Sequence, residues 1–169
     1  IKEHKGKLAG LKLAYIGDGN NMANSYLLAG AISGLNVVVA TPQGYEPDQG
    51  VFARAQALAK SSGGSVALTN SAAEAVAGAD VLATDTWVSM GMESQKQERI
   101  KAFAGFTIDS ALLAQANTDA IVLHCLPAYR GYEISAEVLD GPQSVIWDQA
   151  ENRLHAQKAL MVWLAKHGN

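Results

Sequence analysis

Residues 11–21, LKLAYIGDGNN, pass from a short apolar run straight into a glycine-bounded turn. Leu11 to Ile16 reads as a β-strand, and the pattern NMANSYLLAGAIS (21–33) that follows reads as a helix with Gly34 placed as its stop. A strand that ends in glycines and opens a helix is the repeating join of α/β proteins, so the remaining chain is read for the same rhythm.

The rhythm continues. NVVVA (36–40), closed by Thr41-Pro42, predicts a buried strand, and Pro47-Asp48 introduces the helical FARAQALAKSS (52–62). SVALT (65–69) and DVLATD (80–85) predict strands flanking a short helix, SAAEAVA (71–77). QKQERIKAF (95–103) and SALLAQA (110–116) are helical; AIVLHC (120–125) and SVIW (144–147) bring the expected strands to six; residues 149–166 form the last helix. Strands and helices alternating at this spacing predict a Rossmann-like three-layer α/β domain, a mostly parallel sheet with helices on both faces. In that architecture ligands bind beyond the carboxyl ends of strands, which directs attention to the segments after 16, 40, 85 and 125.

With 169 residues, the chain is sized for a single domain, 1–169, able to bury a core. It opens on Ile-Lys-Glu-His almost at the first strand and reads as a piece of a longer polypeptide. A net charge of −3 leaves no basic footprint for nucleic acid. One cysteine allows no internal disulfide, no apolar run is long enough for a bilayer, and IKEHKGKLAG is no signal peptide; a cytoplasmic domain without membrane contact is expected.

Three strand ends carry candidate chemistry. Gly17-Asp18-Gly19-Asn20-Asn21 lacks the third glycine of a dinucleotide fingerprint, since position 22 is Met22, and Ala40-Thr41 puts no acid at the end of the second strand; a nicotinamide cofactor is not expected. Either Asn20 or Asn21 suits a helix N-cap. In Asp85-Thr86-Trp87-Val88-Ser89-Met90-Gly91 a carboxylate and a hydroxyl four residues apart suit an amino acid's ammonium group, although Asp and Ser are also ordinary turn residues. HCLPAYRG (124–131) holds the only cysteine, at the end of a strand where a plain buried thiol is the bland alternative.

Taken together, HCLP, DTWVSMG, GDGNN, TPQGYEPD (41–48) and AENR (150–153), in that relation along the chain, resemble the ornithine carbamoyltransferases from about Leu8 onwards. The resemblance is to the second, ornithine-binding domain of that two-domain family; the serine-threonine-arginine-threonine phosphate motif of the first, carbamoyl-phosphate-binding domain is absent from these residues. It implies that Asn21, Asp85, Ser89 and Met90 hold the α-amino and α-carboxylate end of L-ornithine. It further implies that Cys125, with Leu126, lies near the reacting amine and the carbamoyl group, and that His124 and Arg153 reach across the cleft towards carbamoyl phosphate. Cys125 is expected to orient ligands rather than act as a covalent nucleophile, with proton acceptance by its thiolate as the alternative. No cofactor or metal is implied. The family also implies a homotrimer assembled through the first domain, a role in arginine biosynthesis, and an isolated chain that is inactive.

Two other readings fit the same residues: a carbamoyltransferase domain for another amine, such as putrescine or an acylated ornithine, and a non-catalytic amino-acid-binding module. Finally, Ala159 to Ala165 are seven apolar residues in succession, which predicts that the last helix packs on two sides. Met161, Trp163 or Leu164 is therefore expected to contact the missing domain and to be exposed in this chain alone.

Overall fold

A computed structural model describes residues 1–89 and 91–168. Five strands, β1 (Lys12–Ile16), β2 (Asn36–Ala40), β3 (Ser65–Thr69), β4 (Val81–Thr84) and β5 (Ile121–His124), form one sheet in the order β3-β2-β1-β4-β5. All pairings are parallel, with Ile16 beside Ala40, Tyr15 beside Ala83 and Thr84 beside His124. The helices are α1 (Lys2–Lys5), α2 (Asn21–Ile32), α3 (Gln49–Ser62), α4 (Ala72–Val76), α5 (Lys96–Ala102), α6 (Ser110–Leu113), α7 (Ala136–Leu139) and α8 (Ile146–His167). A 3₁₀ turn, Glu93–Gln95, leads into α5.

Alternation along the strands divides the core in two, because successive side chains of a strand point to opposite faces. Ala14, Ile16, Leu82 and Val122 face one way and pack with Phe103, Ile108, Ile134 and Ile146. Leu13, Tyr15, Val37, Val39, Ala83 and Leu123 face the other way, under Leu27, Ala31, Ala55 and Ala59 of α2 and α3. Both faces are thus covered, which is why the strands read as continuous apolar runs rather than as alternating ones.

The sixth strand expected at 144–147 is a correction. Ser144 makes one isolated parallel bridge to Val122 and Val145 donates to the Val122 carbonyl, but Ile146 already begins α8. The apolar pair Val145-Ile146 is there because the first turn of α8 is set against β5, and Ile146 is the buried residue of that helix. α8 therefore starts three residues before the expected 149 and ends one after 166. From Glu151 to Gly168 every residue is exposed, with Met161, Trp163 and Leu164 at 63%, 56% and 49%. No helix among the described residues is long and apolar enough to cross a membrane.

Candidate functional site

Parallel pairing brings the carboxyl ends of β1, β4 and β5 side by side, and the segments leaving them meet in one place. After β1, Gly17 takes a positive φ of 152° and Gly19 passes so close to the segment 45–47 that a Cβ would lie 2.3 Å from the Tyr45 carbonyl oxygen. This path carries Asp18 inward to 5% exposure. Its Oδ2 accepts from Arg99 Nη1 at 2.6 Å and from Asn20 Nδ2 at 3.2 Å. Arg99, itself buried, also donates to the Trp87 carbonyl at 2.9 Å and lies 5.2 Å above the Tyr45 ring. Burial pushes the Asp18 carboxyl above the usual carboxylate range, and the Arg99 guanidinium pulls in the opposite direction.

Asn20 occupies the N-cap position of α2 without capping it. Its amide instead bridges Asp18 and Ser89 Oγ, the latter at 3.2 Å, and leaves its Oδ1 buried without a partner among the described residues. The expected Asn21 is the exposed first residue of α2, and Met90 lies outside the described residues. Of the amino-acid-binding set, the structure brings Ser89 into the network through Asn20, a residue that sequence reasoning treated only as a cap.

At the end of β4, Asp85 is buried, and its Oδ1 accepts from the Thr86 amide at 2.8 Å and from the Cys125 thiol at 3.0 Å. This pair joins the β4 and β5 ends. Burial pushes the Cys125 thiol up to about 12, reinforced by Asp85 and opposed by Arg153. That environment favours the protonated thiol over the thiolate. Beneath them, Tyr15 has its hydroxyl buried without a partner among the described residues and its ionisation suppressed by burial and by Asp85.

His124, the last residue of β5, is buried. Its Nδ1 accepts from the Leu126 amide at 2.9 Å, so the proton of the neutral ring is on Nε2, 3.0 Å from Glu133 Oε1. With side chains 0% and 1% exposed, the pair is buried at the end of β5. Its work is local: it holds Leu126, the one non-glycine residue at positive φ (59°) among the described residues. Glu133 Oε1 also accepts from the Tyr129 amide at 2.6 Å.

Cys125, Leu126 and Arg153 do come together. With Met22, His124, Gln149 and Ala150 they line a cleft of about 410 Å³, the exposed Arg153 on its α8 wall. Gln149 closes it by accepting from the His124 amide at 2.9 Å. The cleft thus offers a guanidinium on one side and a carboxylate-bound thiol on the other, a setting for an anion beside an amine. Ligand atoms of Asp85, His124 and Cys125 lie within 4.8 Å of one another, the spacing of a metal site. Both ring nitrogens of His124 are engaged, by Glu133 and by the Leu126 amide, so the imidazole has no free nitrogen to offer a metal in this arrangement.

Asp18, Arg99, Glu133 and Gln149 were missed from sequence. Asp18 between two glycines is a usable signal, since an acid in a turn that small has little room to reach solvent. Arg99 amid QKQERIK and Glu133 nine residues beyond His124 carry none.

The chain is similar to known proteins over nearly all of its length. The family model described as aspartate/ornithine carbamoyltransferase, Asp/Orn binding domain, matches residues 9–164. The ornithine carbamoyltransferase of Renibacterium salmoninarum is 62% identical over 167 residues, 98% of this chain and 54% of that protein. Solved structures of ornithine carbamoyltransferase from Pyrococcus furiosus (51% identical, TM-score 0.91, 95% of this chain and 51% of that one) and of the anabolic enzyme from Campylobacter jejuni (43%, 0.91, 98% and 55%) superpose closely. The chain spans about half the length of the relatives it matches.

Proposed function

The chain belongs to the aspartate/ornithine carbamoyltransferase family, as its Asp/Orn binding domain, and from that premise we propose that it is the ornithine-binding half of an ornithine carbamoyltransferase. The reaction proposed for the whole protein is carbamoyl phosphate plus L-ornithine giving L-citrulline and phosphate, a cytoplasmic step of arginine biosynthesis. The observation that carries the proposal is the Asp85–Cys125 hydrogen bond, which places a carboxylate and a neutral thiol at the junction of two strand ends beside Arg153.

In this reading Asp85 receives the ammonium of ornithine, with Ser89, Asn21 and Met90 around the α-amino and α-carboxylate end. The unpartnered Oδ1 of Asn20 adds a buried acceptor next to Ser89. The δ-amine must be neutral to attack, and its ordinary pKa is about 10.4, as for lysine. A second domain closing over the cleft would strip water and disfavour the ammonium form. The amine then attacks the carbamoyl carbon, the carbonyl oxygen takes up negative charge, and its collapse breaks the C–O bond to phosphate, which leaves with the proton shed by the amine nitrogen. Arg153 is the cation on the cleft wall for that charge or for the phosphate, Cys125 and Leu126 orient the carbamoyl group, and His124 holds Leu126 in place.

The exposed apolar flank of α8 is proposed to pack on the carbamoyl-phosphate-binding half, and homotrimer assembly is proposed through that half as well. The isolated chain is then expected to make no citrulline. The test is an NMR titration with L-ornithine, putrescine and L-aspartate. Saturable shifts with ornithine alone, centred on Asp85, Ser89 and Cys125, support the reading; a preference for putrescine or aspartate at those residues overturns the substrate. Citrulline formed by the pure chain and abolished by Asp85→Asn would overturn the expected inactivity.

A further inference from the structure

The N-cap position of α2 holds a residue well suited to capping that does not cap. α3, α4, α6 and α7 begin after Asp48, Ser71, Asp109 and Ser135, and each of these side chains accepts from an amide of its own first turn. Asn20 stands in the same place before α2 and accepts from none. Asparagine is among the best capping residues, so the missing bond is a local loss of stability. Departures of this kind from a local rule concentrate where a side chain is needed for something else.

The other use is long-range. Asn20 Nδ2 donates to Asp18 Oδ2 and to Ser89 Oγ, each at 3.2 Å. Chemistry fixes which end of the amide faces them, because a carboxylate held by Arg99 at 2.6 Å can only accept. Arg99, Asp18 and Asn20 therefore form one chain of bonds, from α5 through the turn after β1 to the segment after β4. Arg99 also donates to the Trp87 carbonyl, which ties down the backbone two residues before Ser89. The bond from Asn20 completes the tie at the side chain, and among the described residues it is the one hydrogen bond to Ser89 Oγ. An unbonded serine hydroxyl distributes over three staggered positions. Here one lone pair of Oγ is engaged, which leaves the hydroxyl proton and the second lone pair for a ligand, and Ser89 is only partly buried.

We propose that Asn20 is a positioning residue, which leaves α2 uncapped and holds Ser89 Oγ in one rotamer for the amino-acid end of the substrate. This deepens the ornithine reading and rests on it. Asn20 acts through Ser89, and Asp18 with Arg99 anchors Asn20 in turn.

The test uses the whole protein, this chain together with its carbamoyl-phosphate-binding half, assayed for citrulline. Asn20→Ser no longer reaches Ser89 and supplies a side chain able to cap α2. The KM for L-ornithine is expected to rise roughly three- to tenfold, the lower figure for losing one held rotamer of three and the upper for losing a good hydrogen bond. The kcat and the KM for carbamoyl phosphate are expected to change by less than about twofold, since the lost contact binds substrate away from the reacting amine. The thermal midpoint is expected to fall by no more than about 3 °C, because the new cap offsets the lost bonds. In a Ser89→Ala background, adding Asn20→Ser should leave the ornithine KM where Ser89→Ala alone put it. An unchanged ornithine KM in Asn20→Ser, additive losses in the double variant, or a midpoint lowered by more than that margin, meaning that Asn20 serves the fold, would each overturn the proposal. A parent protein that makes no citrulline would instead overturn the ornithine reading, and this assignment with it.

Discussion

Replacing Arg99 with methionine should separate what its charge does from what its stem does. Methionine keeps most of the aliphatic bulk against Tyr45 and Phe103, so the loss falls on the 2.6 Å bond to Asp18 and the 2.9 Å bond to the Trp87 carbonyl. Asp18, with its side chain 7% exposed, would keep only the weaker bond from Asn20. Stranding one member of a buried ion pair costs about 3–5 kcal/mol, which for a chain of this length corresponds to roughly 6–20 °C in Tm. The deficit should depend on pH in a definite direction. Burial already raises the folded-state pKa of Asp18, so its contribution to stability is fullest below its ordinary value of about 3.9 and falls as pH rises through the folded value. Arg99→Met removes the influence that lowers this pKa, so the variant is worst at neutral pH and approaches the parent as the pH falls and Asp18 is protonated in both. Urea unfolding followed by circular dichroism between pH 4 and 8, repeated in Arg99→Met/Asp18→Asn, gives the numbers. The double variant should recover part of the loss, because no charge is then stranded. A deficit below about 1 kcal/mol, or one that is flat with pH, would refute the view that this pair pins the β1 and β4 segments together.

Three further outcomes follow from the geometry. Gly19→Ala puts a methyl 2.3–2.4 Å from the backbone of residues 45–47 and should cost about 1–3 kcal/mol or more in urea unfolding, with no change in slope. Asp85→Asn removes a charge that holds the Cys125 thiol up, so alkylation by iodoacetamide at pH 8 should accelerate by about tenfold or more; an unchanged rate would mean that burial alone governs the thiol. Leu160→Ser/Trp163→Ser changes two residues that are each 56% exposed and should alter stability by no more than about 0.5 kcal/mol while reducing dye binding to apolar surface. A large stability loss there would place the end of α8 in the folding core.

Period and punctuation made the sheet legible. Strand runs such as Asn36–Ala40 and Ser65–Thr69 match the expected limits because turn residues bound them on both sides. SVIW failed because an apolar β-branched run looks alike whether it pairs in a ladder or forms the buried first turn of a helix on a sheet edge. At the site, motif positions located the loops but not the direction of each side chain. His124 and Cys125 are neighbours, yet one turns inward to Glu133 and the other towards Asp85. That choice depends on residues far along the chain, such as Arg99 for Asp18 and Gln149 for His124, and such pairings leave no local trace in sequence.

α8 has 22 residues, about 33 Å of helix, and beyond its first turn little of it is covered. A stretch supported mainly by its own hydrogen bonds obeys the helix–coil equilibrium, in which segments of this length are marginal in water. The amides of residues 155–167 should therefore exchange with deuterium long before those of β1 or β4, even though both sit in regular structure. Covering the apolar flank would slow that exchange without altering the helix, which makes the protection of α8 a meter of assembly that can be read residue by residue.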